Sequence, residues 1–201
     1  MGMRLDRAAL LRRMAAQFAT GRRTGICGSE EAAATCRSWL CLSTARWLAG
    51  LPALGNVLYA PSVMPCMLRG RPLPGLLVES ADLAPLLHTR ILAFASAVTA
   101  DGPREWMECR DAHECLLARL YLLPDTDYLA WDALCAGADV AAAGARADAF
   151  ASPPAAVRVL RFRLRRFAAG LKLLGADAVA SASPLGRDVA ARIARDAATL
   201  R

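Results

Sequence analysis

The sequence predicts a single all-α domain, spanning residues 1–201, with six or seven helices. Apolar residues recur at helical spacing along most of the chain. Proline and glycine divide the chain into segments of helical length, and several segments begin with a residue that typically caps a helix. With 201 residues, of which 56% are hydrophobic, the chain is long enough to bury one real core. The predicted helices span 5–18, 29–50, 82–98, 103–123, 128–150, 154–174 and 184–200, and an irregular connection over 51–75 includes weakly indicated short strands at 57–60 and 76–79.

Capping residues support several of these boundaries. Ser29, followed by two glutamates, is a typical N-cap, and Gly50 is a typical helix end. Asp82 can cap the next helix, and Ser-Pro sequences at 152–153 and 183–184 are typical starts of the last two helices. No apolar run approaches about 20 residues, and the N-terminus has no signal-type apolar stretch, so we expect neither a membrane span nor secretion.

The segment VRVLRFRLRRF, residues 157–167, admits two interpretations. Its letters alternate between apolar and basic, which is typical of a half-buried strand. However, its flanks lack close strand breakers. Apolar residues also recur at intervals of four, three, four and three as one helical stripe. The stripe, which favours a helix, consists of Leu160, Leu164, Phe167, Leu171 and Leu174.

The charge of the chain is strongly segregated, although the total is only +7. Residues 1–74 carry +7, residues 75–152 carry −7, and residues 153–175 carry six bases and no acid. Two basic blocks therefore flank an acidic middle, which suits a polyanionic partner. The alternative is a self-neutralising fold, in which the basic and acidic segments pair with one another.

The cysteines favour a reducing compartment. Their number, seven, is odd, and none forms a CxxC pair, so we expect buried free thiols in a cytosol or nucleus. Cys109 and His113 lie four residues apart on a predicted helix, with Glu108 and Glu114 beside them, but no second cluster completes a metal site. Three aspartates, at 125, 127 and 132, resemble an acidic metal patch, but Asp125 and Thr126 are more simply explained as loop and helix-cap residues.

No pattern in the chain indicates catalysis. There is no P-loop or GxGxxG, and no nucleophile signature surrounds any cysteine. We therefore predict no enzyme, no cofactor, no metal and no small-molecule substrate. The weakest alternative is an enzyme that uses Cys109 and His113.

Two helix–turn–helix pairs are predicted, and they favour DNA binding. One joins 83–98 to 103–123 through a turn with glycine. The other joins 128–150 to the basic helix, whose cations suit contact with phosphates. Loop arginines could add contacts, including Arg69 and Arg71. The predicted DNA-binding residues are Arg158, Arg161, Arg163, Arg165, Arg166 and Lys172 of the basic helix, with Arg104, Arg110, Arg22 and Arg23.

Three segments together resemble a known family. They are GRRTGICGSEEAA (21–33), NVLYAPSVMPCMLRGRPLPGLL (56–77) and HTRILAFASAVTADGPREWMECRDAHECLLARLYLLPDTDYLAWDAL (88–134). They are similar to the DNA-binding region of the alphaherpesvirus major immediate-early transcriptional regulators. The resemblance implies an α-helical homodimer in the host cell nucleus that activates early viral genes and represses its own promoter. It also implies contact with general transcription factors and a chain that is part of a larger regulator.

The leading hypothesis is accordingly a sequence-specific double-stranded DNA-binding domain of a viral transcriptional regulator. The second hypothesis is an α-helical adaptor or assembly protein that binds an acidic protein partner through its basic helix. Steep salt dependence of binding to duplex DNA separates the two.

Overall fold

A computed structural model describes residues 35–41, 43–62, 72–99, 102–136, 139–141, 156–179 and 182–199. These residues form one mixed sheet of nine strands, with three α-helices and three 3₁₀ helices. The strands are β1 (Thr35–Cys41), β2 (Asn56–Pro61), β3 (Leu76–Val78), β4 (Ile91–Thr99), β5 (Gly102–Arg110), β6 (Leu116–Tyr121), β7 (Asp139–Ala141), β8 (Arg158–Arg166) and β9 (Lys172–Ala178). The α-helices are α1 (Thr44–Gly50), α2 (Tyr128–Ala136) and α3 (Pro184–Thr199), and the 3₁₀ helices span Leu51–Leu54, Ala81–His88 and Ala168–Gly170.

The sheet is antiparallel except at one edge. Its strand order is β3-β9-β8-β2-β6-β5-β4-β1-β7, and only β3 and β9 pair in parallel. Strands β4, β5 and β6 form a meander, and β8 and β9 form a hairpin. Pairing between β2 and β8 ends at Arg161, so the distal half of the hairpin is flanked by β3 alone.

One face of the sheet carries the main core. Helices α1 and α2 and two of the 3₁₀ helices pack on this face, which we name the core face. Trp47 of α1 and Trp131 of α2 are buried against it, and Tyr59 and Phe162 of neighbouring strands meet edge to face with ring centroids 6.2 Å apart. Burial of such aromatic side chains is a large source of stability.

The opposite face, which we name the second face, is packed by α3. Ala190 and Ile193 of α3 are buried against Leu58 of β2 and Leu123, with Val159 of β8 at the margin. A smaller apolar cluster thus attaches α3 to the middle of the sheet. Arg161, Arg163 and Arg165 of β8 lie on this same face.

The prediction of an all-α domain was wrong, and so was most of the helix assignment. Residues 82–98 form a 3₁₀ helix followed by β4, residues 103–123 form the β5–β6 hairpin, and residues 154–174 contain β8 and the start of β9. The physical reason is clearest in β4, which has buried residues on both faces and no alternation of buried with exposed positions. A strand buried on both faces shows no period-two alternation, so its apolar run reads equally well as part of a helix.

The two helix–turn–helix pairs are therefore absent from the described residues. The first predicted pair is the β4–β5 hairpin, which is closed by the pairing of Thr99 with Gly102, a glycine with φ of 114°. In place of the second pair lie α2, β7 and β8. The pattern of two helical segments around a glycine turn is equally compatible with two strands joined by a tight turn.

Three elements were predicted correctly. The weakly indicated strands at 57–60 and 76–79 correspond to β2 and β3, and the helix over 184–200 corresponds to α3. Ser183 caps α3 as expected, because its Oγ accepts a hydrogen bond of 2.9 Å from the backbone N–H of Gly186. The predicted helix over 5–18 and the N-cap at Ser29 lie outside the described residues. The helix over 29–50 was wrong at Thr35–Cys41, which is β1, and correct at Thr44–Gly50, which is α1. The helix over 128–150 was correct as far as Ala136, and Asp139–Ala141 is β7.

Candidate nucleic-acid interface

The predicted basic helix is strand β8, so its arginines divide between two faces. Arg161, Arg163 and Arg165 occupy alternate positions on the second face, while Leu160, Phe162 and Leu164 face the core. The alternation of letters in 157–167 was thus the correct signal. In the helical stripe, Phe167 and Leu171 are 52% and 41% exposed, so this stripe is not a buried face.

Two of the β8 arginines pair with acids from the middle of the sequence. Arg158 forms an ion pair with Asp82 of the 3₁₀ helix Ala81–His88. Arg163 pairs with Glu79, which follows β3, and with Asp177 of β9. These contacts realise part of the self-neutralising alternative, and they reduce the charge that Arg158 and Arg163 offer to a partner.

A glycine makes the Glu79 contact possible. Gly175 lies directly opposite Arg163 on β9, and the Glu79 carboxylate lies where a Cβ of residue 175 would stand. Any larger residue at 175 would have to displace this carboxylate. Because Gly175 has no side chain, the Glu79 carboxylate can cross β9 and reach Arg163.

The remaining cations of the hairpin lack acidic partners. Among the described residues, no carboxylate lies within 4.0 Å of Arg161, Arg165, Arg166 or Lys172. Arg161 donates a hydrogen bond of 3.1 Å from Nε to Oδ1 of Asn56. The other three residues cluster where the hairpin closes, and we name them the basic hairpin end: Arg165, Arg166 and Lys172.

The register makes this hairpin end electrostatically unfavourable in the free protein. Arg166 is the direct cross-strand partner of Lys172, and Arg165 precedes it. No acid occurs anywhere in residues 164–176. Like charges at directly opposite positions of an antiparallel pair destabilise it. A bound polyanion would convert this repulsion into attraction.

The other predicted DNA contacts lie elsewhere. Arg104 of β5 is on the second face and pairs with Asp196 of α3 at 2.5 Å, so it helps to attach that helix to the sheet. Arg110, also on β5, pairs with Glu108 at 2.6 Å. Neither joins the basic hairpin end. Arg22 and Arg23, like Arg69 and Arg71, lie outside the described residues.

A buried charge cluster on the second face was missed by the sequence reasoning. The Glu108 carboxylate is fully buried, and it accepts hydrogen bonds from Trp106 Nε1 at 3.1 Å and from Arg110 Nε at 3.1 Å. Arg119 of β6, the cross-strand partner of Glu108, places its Nε 3.5 Å from the same carboxylate. Of the two arginines that pair with Glu108, only Arg110 is close to it in the sequence, two residues away. The contribution of Arg119 depends on the strand register.

The candidates for metal or thiol chemistry are not brought together. Cys109 is buried in the core face of β5, where burial raises its pKa well above the usual range and disfavours the thiolate. His113 is exposed in the β5–β6 turn, where its backbone N–H donates to Oδ1 of Asp111. The helix on which Cys109 and His113 were predicted to lie is the β5–β6 hairpin. The residues that the structure describes contain no group of three or more potential metal ligands from His, Cys, Asp and Glu.

Two of the aspartates have structural contacts, as the loop and cap interpretation expects. Asp125 accepts hydrogen bonds from the N–H and Oγ of Ser183, which joins the loop before α2 to the start of α3. Asp127 accepts from the N–H groups of Leu129 and Ala130 in the first turn of α2. These bonds stabilise two helix starts.

Comparisons with known proteins add no information on function. Neither a scan of protein-family models nor a search of curated proteins returned a match. Within the described part of the chain, no helix combines the length and apolar character that crossing a membrane requires.

Proposed function

We propose that the protein binds double-stranded DNA through the basic hairpin end and the exposed part of β8. The observation that carries this proposal is the like-charged cross-strand pair of Arg166 and Lys172, with Arg165 beside it and no carboxylate partner among the residues that the structure describes. A protein tolerates such a pair at low cost when a polyanion neutralises it. Phosphate contacts of this kind supply the sequence-independent part of DNA affinity.

The spacing of the cations supports a duplex partner. Arg161 and Arg165 point to the same side, four residues apart, and so lie about 14 Å from each other along the strand. That length lets the two guanidinium groups contact different phosphates of one duplex, which carries a negative charge about every 1.7 Å of helix axis. A two-stranded ribbon such as the β8–β9 hairpin can also enter a groove of the duplex, as β-ribbon proteins do in the major or the minor groove.

The resemblance described above extends this proposal. It adds a role as a viral transcriptional regulator, sequence-specific recognition, a homodimeric state, and action in the host nucleus with general transcription factors. The α-helical adaptor, the other hypothesis from the sequence, relied on a basic helix that the structure replaces with β8. A basic hairpin would still attract an acidic protein, which is the competing explanation that the experiment must separate from DNA binding.

Charge reversal at the hairpin tests the proposal. The double variant Arg165→Glu/Arg166→Glu should lose binding to a 30-base-pair duplex at low salt by about 100-fold or more, measured by fluorescence anisotropy. The control is Arg187→Glu/Arg195→Glu, which changes the net charge equally at exposed positions of α3. The control should lose only the weaker, long-range part of the attraction. Equal losses in both variants, or no binding by the wild-type protein, would refute the proposed site.

A further inference from the structure

The β8–β9 hairpin exposes apolar side chains at the same end as its cations. Phe167 and Leu171 stand opposite each other where the strands close, since the Phe167 N–H donates to the Leu171 carbonyl at 2.8 Å. Phe167 is 52% exposed and Leu171 is 41% exposed, and Leu77 of the flanking strand β3 is 53% exposed. A half-exposed phenylalanine contributes little to folding, and grouped exposed apolar residues typically mark a contact surface.

The strand register places this apolar pair in line with the exposed arginines. Arg165 pairs with Leu173, and Phe167 pairs with Leu171 two positions further along the hairpin. Because side chains alternate between faces along a strand, both pairs lie on the second face. Arg166 and Lys172 form the pair between them and project to the opposite side. The end of the hairpin therefore presents a narrow apolar edge, with Arg165 next to it on the same face and Arg166 and Lys172 on the opposite face.

We propose that Phe167 and Leu171 act as a wedge that enters between stacked base pairs from the minor groove and bends the duplex. This inference rests on the proposed function, because it assumes that the partner is DNA. Proteins that bend DNA often insert an apolar side chain at a base step while flanking cations hold the phosphates on either side. Arg165 and Arg166, adjacent to Phe167, are placed for those flanking contacts.

The size of the apolar edge favours a base step over a membrane surface. Phe167 and Leu171 are the two side chains of one closing pair of a hairpin, so the apolar edge that they form is narrow. Its width suits the narrow gap that opens between two unstacked base pairs. Insertion into a lipid interface gains affinity with the apolar area that is buried, and is strongest for long amphipathic faces. Only Leu77 extends the apolar edge beyond the closing pair among the described residues.

A ring-closure assay tests the wedge without knowledge of a target sequence. The probe is a linear duplex of about 100 base pairs, which is shorter than the persistence length of about 150 base pairs and therefore circularises slowly with ligase. The wild-type protein should raise the rate of ring closure by an order of magnitude or more. Phe167→Ala/Leu171→Ala should return the rate to that of free DNA while its affinity for the duplex falls only several-fold. The control Leu129→Ala, at a position that is 82% exposed on α2, should leave both quantities unchanged.

The outcomes separate this inference from the proposed function. If the wild-type protein binds the duplex but does not accelerate ring closure, the wedge is refuted and DNA binding stands. The same conclusion follows if the Phe167→Ala/Leu171→Ala variant bends DNA as well as the wild type does. If the variant loses binding to vesicles of anionic phospholipid while DNA bending is unchanged, the apolar edge serves a membrane and the wedge is refuted. If the wild-type protein does not bind DNA at all, both proposals fail.

Discussion

Replacing Phe162 or Phe167 with alanine distinguishes strand from helix over 158–166. Phe162 is 2% exposed and packs edge to face on Tyr59, so Phe162→Ala should lower the free energy of unfolding by about 3–5 kcal/mol. Phe167 is 52% exposed, so Phe167→Ala should change it by about 0.5 kcal/mol or less. A helix would reverse the order, because Phe167 belongs to the apolar stripe and Phe162 does not.

Urea denaturation followed by circular dichroism measures both values. The two variants should differ in the midpoint and share the slope with the wild-type protein, which would show that only stability changed. If Phe162→Ala is too unstable to purify, Phe162→Leu keeps most of the buried volume and should cost about 1 kcal/mol. A larger loss for Phe167→Ala than for the Phe162 variants would contradict the strand assignment.

Further predictions concern the charge cluster, the hairpin acids and a buried thiol. Glu108→Gln should destabilise the protein by about 3–5 kcal/mol in urea denaturation, because it removes the buried carboxylate that Arg110 and Arg119 share; Asp188→Asn, which breaks an exposed ion pair, should cost at most about 0.5 kcal/mol. Glu79→Gln removes one of the two acids beside Arg163, so it should tighten binding to duplex DNA, and unchanged or weaker binding in anisotropy would contradict this role. Burial raises the pKa of Cys135 from 9.0 to about 12, so iodoacetamide at pH 8 should label this thiol much more slowly in the native than in the denatured protein. The stability that the neutral Cys135 thiol contributes is complete below pH 9.0 and should be lost as the pH rises towards about 12, which urea titrations across that range can measure.

The sequence indicated individual elements better than the fold. Helix α3 is amphipathic and begins at a Ser-Pro cap, so local signals were sufficient to predict it. Strand β8 also has a local signal, its alternation, but the spacing of Leu160, Leu164, Phe167 and Leu171 coincided with a helical stripe. Such a coincidence is common in a chain that is rich in leucine and alanine, and only the pairing of β8 with β2 and β9 resolves it.

The candidate site was predicted in composition but not in arrangement. The acid-free segment 153–175 contains Arg161, Arg165, Arg166 and Lys172, which have no acidic partner among the described residues. Which cations are unpaired depends on Glu79 and Asp82, which lie 84 and 76 residues away from their partners in the sequence. Contacts of that range are set by strand order, so charge counting alone could not separate Arg158 and Arg163 from Arg165 and Arg166.

The salt dependence of binding to duplex DNA tests the central claim most directly. Within the described part of the chain, four cations have no acidic partner: Arg161, Arg165, Arg166 and Lys172. They predict a slope of about −3.6 in a plot of log association constant against log salt concentration. Affinity should therefore fall by about 150-fold between 50 and 200 mM salt. A measured slope between about −3 and −4 supports phosphate contact by the hairpin cations. A slope near zero, or the absence of binding at 50 mM salt, would contradict it.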